Sequence, residues 1–331
     1  MKAINMKNLF ILIFMVSVLS SDASSFEKQL NTISKTYGFL QGQKTILNNS
    51  KRNHPDLKAD IRIAELSFKA SFGLAENNLE IKLRDLLGNY YDEFMNSLDK
   101  EMANNSSGFE YDRKTTLAYI EEVKLRAEGY IESPFKEILL AYQYKDKPGN
   151  EFLDGFVTDY TTKGHFKAKG VDMQIKFPQS WKAYQGERPN IVQKFVSENG
   201  EGKVTAMIII TNIPQDELEL MSNISNYEYF SYVETDNLIP PNSKFISREN
   251  VKLDRYDGVK LIYETSGDRM GYKIKMKTFC LMTIVSEKVV NLMFAVVEED
   301  GGTIEEKFKK NESLFELMGF FTVFPEQYSD N

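Results

Sequence analysis

From residue 25 to about 145 the apolar positions recur every three or four residues; beyond residue 150 they recur every second residue. The first period predicts helices and the second predicts strands. Phe26, Leu30, Ile33, Tyr37, Leu40 and Leu47 lie on heptad spacing in the first segment, with Lys44 interrupting the stripe. His54-Pro55-Asp56 follows, and Pro55 suits the first turn of a new helix. The next seam runs through Leu57, Ile61, Ala64, Phe68, Phe72, Ala75, Leu79, Leu83, Leu86, Tyr90, Phe94 and Leu98. It predicts one helix of over forty residues, bent at Gly73 or Gly88. Asn104 to Gly108 reads as a loop, Asp112 to Glu128 as a third helix, and a fourth starts near Ser133-Pro134. A lone helix cannot bury an apolar stripe, so these segments pack as an antiparallel hairpin or small bundle. The same seam would also serve a homodimer; four helical segments in one chain favour an internal bundle.

Lys145-Asp146-Lys147-Pro148-Gly149-Asn150 marks the boundary, because its polar residues and Pro-Gly do not continue a helix. Val171, Met173, Ile175 and Phe177 then alternate with polar residues in a half-buried strand halted by Pro178. Residues 191–196 and 204–211 are the next strands, followed by a helical stretch from Glu217 to Val233. Asp257-Gly258 between two alternating runs signals a hairpin turn. The nearly continuous apolar runs 278–285 and 289–297 predict central strands covered on both faces. Glu305 to Leu317 forms a closing helix with Phe308, Leu314, Phe315 and Met318 on one side. The fold class is therefore α+β: a helical domain over residues 24–147, then an α/β/α sandwich with a mostly antiparallel sheet over 151–331.

Phe177-Pro178-Gln179-Ser180-Trp181 ends the first alternating strand. A strand pair follows (193–196 and 206–210), then a hairpin leading to Tyr263-Glu264, a long strand pair, and a helix before the Phe-rich end 317–324. In this order of elements, residues 160–325 resemble the PsbP-like fold family. The resemblance implies an extrinsic, assembly or envelope protein that binds other proteins, in some cases with calcium or manganese, and that is not generally an enzyme.

Lys2 and Lys7 precede an eleven-residue apolar run, Leu9 to Leu19, and Ser21-Asp22-Ala23 supplies the small residues of a cleavage site. As a helix that run rises only about 16 Å, half a bilayer core. A secretory signal over residues 1–23 is expected, with an exported, periplasmic or secreted product and no stable membrane insertion after cleavage. The formal charge is −7, and removing Lys2, Lys7 and Asp22 leaves −8. That field opposes nucleic acid. Cys280 is the sole cysteine and sits in an apolar run, where it reads as a small packed hydrophobe.

Catalytic chemistry has few candidates. His54 and His165 are the only imidazoles and neither lies near a nucleophile turn. Glu198 to Lys203 places two glycines beside a lysine with no helix after them, which reads as a hairpin turn. Glu298, Glu299 and Asp300 precede Gly301-Gly302 and could hold Ca²⁺ or Mn²⁺ through hard oxygen ligands; a solvated loop is the plainer reading. Trp181, Tyr184, Tyr227, Tyr229 and Tyr232 are candidates for a partner-binding surface, since aromatics concentrate at binding hot spots. Against this, Trp181 has the alternative of folding back to cap the core beside Pro178. The expectation is a non-catalytic binding or accessory protein for another envelope or secreted protein; the alternative is a carrier of a small ligand or metal ion.

Overall fold

The computed structural model describes residues 23–213, 215, 218–219, 224–269, 272–298 and 303–328. The expected leader lies outside them except for Ala23. The chain divides into two units, one ending at Lys145 and the other starting at Asp146.

The first unit is all helical: α1 (Ala23–Asn53), α2 (Lys58–Leu87), α3 (Tyr91–Ser107), α4 (Arg113–Ala127) and α5 (Phe135–Gln143). The long second seam is interrupted rather than continuous. Phe72 leaves helical geometry inside α2, and Gly88, at φ +51°, ends it in a single 3₁₀ turn before α3. A positive φ costs glycine little, so the break falls there. At the Phe72 kink the amides of Leu74 and Ala75 donate to the Gln143 side-chain oxygen at 3.0 and 3.1 Å. This satisfies backbone donors that the interrupted ladder frees. α3 continues through Ser107, so residues 104–107, expected as loop, are helical; Ser106 and Ser107 bond back to the carbonyls of Ala103 and Asn104. Asp112 caps α4 by accepting from the amides of Lys114 and Thr115.

Ile61, Ala64, Phe68, Phe72, Ala75, Leu79 and Leu83 are buried against α1, α4 and α5. The seam that could have served a homodimer is thus used inside the unit. Arg126 ties α4 to α1, with its guanidinium 4.8 Å above the Phe39 ring and donating to Gln43 at 2.8 Å.

The second unit opens with α6 (Pro148–Leu153), a helix where the boundary was expected to be irregular; Pro148 sits at its first turn, where a missing amide costs nothing. β1 (Val157–Thr161) and β2 (Gln174–Pro178) form a two-stranded sheet. The main sheet has seven strands in the order β3-β4-β5-β9-β8-β7-β6, every pair antiparallel. Its strands are β3 (Lys182–Gln185), β4 (Ile191–Val196), β5 (Val204–Asn212), β6 (Lys244–Leu253), β7 (Tyr256–Arg269), β8 (Tyr272–Val285) and β9 (Lys288–Val297). α7 (Asn226–Tyr232) packs on one face, and α8 (Ile304–Phe320) with β1–β2 packs on the other. The arrangement is the expected α+β one. β8 and β9 are central: Phe279, Leu281, Leu292 and Phe294 point to the α8 side, while Cys280, Met282 and Ile284 point to the α7 side.

The hairpin turn between β6 and β7 is not at Asp257-Gly258 but at Asp254-Arg255, where Asp254 takes φ +53°. Gly258 lies within β7 because the neighbouring strand passes close: a Cβ there would sit 2.4 Å from the Met282 carbonyl oxygen. Gly258→Ala is therefore expected to destabilise the protein by about 2 kcal/mol through forced separation of β7 and β8, read as a lower denaturation midpoint in urea; an unchanged midpoint would contradict this close packing.

Candidate functional site

Three groups of surface and buried side chains bear on function. The first is the Phe177–Trp181 turn. Trp181 donates its amide to the Pro178 carbonyl at 3.0 Å, and its side chain is buried in the core with Phe177 and Phe195. It is therefore a core cap, not a partner-binding residue. Beneath the turn lies Glu151 of α6, which sequence reasoning missed. It is only 2% exposed and accepts from the Ser180 amide at 2.8 Å and the Ser180 hydroxyl at 2.6 Å. Burial pushes its carboxyl up to about 7, against those two hydrogen bonds, which favour the charged form. A Glu within a short polar helix carries no sequence signal for such burial.

The second group is the expected tyrosine surface. Tyr184 stands half-exposed on edge strand β3, with the Lys182 ammonium 5.6 Å from its ring. Tyr227 is 55% exposed on α7, whereas Tyr229 is buried against Phe230 and the sheet, so Tyr229 is a packing residue. The side chain of Tyr232 lies outside the described residues. α7 packs on β7, five strands from β3 in the sheet order, which separates Tyr184 from Tyr227 by about 24 Å at ordinary strand spacing. The five aromatics do not form one surface. Arg248 explains how α7 is held: its guanidinium donates to the carbonyls of Phe230 and Val233 and to the Thr235 hydroxyl at the end of that helix.

The third group is the carboxylate loop. Glu298 is exposed and its amide donates to the Lys275 carbonyl at 2.9 Å; Glu299 and Asp300 lie outside the described residues. Among the described residues no three His, Cys, Asp or Glu side chains gather as a metal site. His54 is bonded to the Tyr111 carbonyl at 2.6 Å, and His165 accepts from the Lys167 amide at 3.2 Å. Cys280 is buried, donates to the Asn291 side chain at 3.1 Å, and has its thiol pushed up to about 12 by desolvation.

Two exposed apolar features were also missed. Leu153 at the end of α6 is 66% exposed, and Phe321, 58% exposed, has its ring 5.7 Å from that of Phe152. On α2, Ile63, Leu66, Leu74 and Ile81 face outward. Among the described residues no helix is long and apolar enough to cross a membrane.

No protein-family model matches the chain. No curated protein matches it either. Among solved structures, the crystal structure of LpqN, involved in cell envelope biogenesis of Mycobacterium tuberculosis, aligns with 54% of this chain and 96% of its own length. Identity there is 11% and the TM-score 0.31. A Bacteroides thetaiotaomicron crystal structure aligns with 48% of this chain and 47% of its own, at 13% identity and a TM-score of 0.27. At these scores neither likeness carries an argument about activity, and the PsbP-like resemblance rests on the order of elements alone.

The Glu151 environment has a pH signature. With a carboxyl raised from 4.5 to about 7, the native state binds the extra proton, so its contribution is full below pH 4.5 and is lost as pH rises through 7. Glu151→Gln cannot ionise but can still bond Ser180. Its stability relative to the wild type should climb by about 2.5 kcal/mol between pH 5 and pH 8, measured by urea denaturation at both; parallel profiles would show that the buried carboxyl does not titrate in this range.

Proposed function

We propose that the protein is an exported, non-catalytic binding or accessory module for another envelope or secreted protein, with a C-terminal unit of PsbP-like type. The observation carrying this reading is the exposure of two large apolar side chains, Leu153 and Phe321, on the second unit. Exposed apolar side chains held on fixed elements offer contact area to a partner. Both positions are supported: α6, which carries Leu153, is anchored to the sandwich by the Glu151–Ser180 bonds, and Phe321 continues from α8. A preorganised apolar platform lowers the ordering cost of binding. Export is inferred from the apolar run Leu9 to Leu19 and the small residues that follow it.

Cross-linking in the native cells followed by mass spectrometry should capture a recurrent protein partner. Leu153→Ser with Phe321→Ser should abolish that capture while leaving the thermal midpoint within about 2 °C, since exposed side chains contribute little to stability. An unchanged capture pattern would remove these two side chains from the function. Turnover of a substrate by the purified protein, lost on mutating one carboxylate, would overturn the non-catalytic reading.

The carrier alternative makes a separate demand, because a ligand bound only by the folded state raises the midpoint. With millimolar Ca²⁺ or Mn²⁺ the midpoint is expected to stay where it is; a rise of several degrees would favour ion carriage.

A further inference from the structure

The loop between β1 and β2, residues 162–173, bounds an open cavity of about 450 Å³, a volume in the range of small-molecule sites. Its neck is fixed by the buried Thr162 hydroxyl, which donates to the Val171 carbonyl at 2.7 Å and accepts from the Met173 amide at 2.9 Å. Two lysines tie the loop to one end of the main sheet. The Lys167 ammonium donates to the carbonyls of Gly186 and Arg188, and the Lys169 ammonium donates to the Asn190 side chain and the Ile210 carbonyl. The cavity is preformed by these bonds, so a ligand entering it has little loop ordering to offset.

The surroundings of this cavity are cationic. Lys163 lies exposed in its wall, and its ammonium makes no bond among the described residues. His165, also in the wall, accepts the Lys167 amide on Nδ1, so the neutral ring carries its proton on Nε2 as a donor. Burial and the nearby Lys288 ammonium both hold Lys169 below the usual lysine range. The carbonyls that bond Lys167 and Lys169 satisfy their N–H groups without neutralising their charge. Among the described residues none of Lys163, Lys167, Lys169, Arg188 and Lys288 forms an ion pair. Asp172, bonded to the Thr161 hydroxyl at 3.2 Å, and the exposed Glu187 and Glu287 offset only part of that charge. The chain as a whole is at −7, yet this end of the sheet gathers positive charge, which concentrates anions there.

An aromatic group stands beside the cations. Phe166 is 75% exposed, more than any other large apolar side chain among the described residues. The His165 ring stacks on it at 5.0 Å, and the Lys167 ammonium lies 5.6 Å from its centre. We propose that the β1–β2 loop binds a small organic phosphate, with Lys163 and His165 Nε2 donating to the phosphate oxygens and Phe166 against the organic body. Separate point donors suit the three oxygens and higher charge of a phosphomonoester; a planar carboxylate is matched better by a forked guanidinium. The site uses neither Leu153 nor Phe321 and is independent of partner binding there. A soluble phosphomonoester and the headgroup of phosphatidic acid share this chemistry.

Calorimetric titration of the full-length protein with phenyl phosphate, inorganic phosphate and phenol tests the site. Phenyl phosphate should bind saturably at millimolar concentration, inorganic phosphate about fivefold more weakly for want of the ring contact, and phenol not measurably. Lys163→Glu combined with Arg188→Glu should weaken phenyl phosphate by about tenfold or more. Phe166→Ala should bring phenyl phosphate to the level of inorganic phosphate. All three side chains are exposed, so the melting curves should not move. Co-sedimentation with phosphatidylcholine vesicles, with and without phosphatidic acid, separates the sources. Retention that requires phosphatidic acid and is lost in the double variant identifies the lipid headgroup; phenyl phosphate binding without such retention identifies a soluble phosphate. No saturable binding of phenyl phosphate, an affinity indifferent to the double variant, or phenol binding as tightly as phenyl phosphate would each overturn the proposal.

Discussion

The paired strands β8 and β9 must be kept from water on both faces, and the second unit is arranged around that requirement. Phe279 and Phe294 are cross-strand partners in this pair, and Phe315 of α8 stacks on Phe294 at 5.3 Å. On the opposite face Cys280, Met282 and Ile284 lie under α7. A sheet apolar on both faces cannot stand with one cover, so α8 and the β1–β2 pair take one side and α7 the other. The long connection from central β5 to edge strand β6 supplies that second cover, and the Arg248 guanidinium secures its end. The thiol of Cys280 is inert as a consequence of this burial and not of any special chemistry.

In the helical unit, the same need to bury apolar surface meets the straightness of a helix. A seam followed over forty residues drifts around the helix axis, because the helical repeat does not match the heptad. The chain relieves this twice, at Phe72 and at Gly88. The first break exposes backbone donors, and Gln143 at the end of α5 accepts them. That one side chain makes the bend compatible with a packed interior and joins α5 to the middle of α2.

Much of this was readable in the residues. The change of period near residue 150, the central character of 278–285 and 289–297, and the inward positions of the closing helix all follow from apolar spacing. What escaped was determined by contacts distant in sequence. Asp257-Gly258 resembles a turn, yet its glycine is required by the approach of β8, and no local signal separates the two causes. β3 was not expected because an exposed edge strand of Lys182, Ala183, Tyr184 and Gln185 has no apolar alternation to read. Trp181 and Tyr229 were placed with a possible binding surface because aromatics serve cores and interfaces alike. The outer stripe of α2 was in fact legible, since Ile63, Leu66, Leu74 and Ile81 keep helical spacing. The stronger inner seam on the same helix masked it.

The buried ionisable groups bear on whether this molecule works by chemistry or by contact. Glu151 holds the Trp181 turn. Glu264, 7% exposed, faces Lys244 and Lys277 on the neighbouring strands and lies 3.7 Å from Lys275. Lys277 in turn pairs with Glu305 at the start of α8, which holds that carboxyl below its usual range. Each of these charges has a structural partner, and desolvated charges are kept only where such partners compensate them. A reactive group needs the opposite arrangement, a shifted carboxyl or amine facing open space where a substrate can enter. Exposed apolar side chains stand on both units: Leu153 and Phe321 on one, and Ile63, Leu66, Leu74 and Ile81 of α2 on the other. Polar groups engaged inside and apolar side chains exposed outside are the features on which the proposed binding role rests.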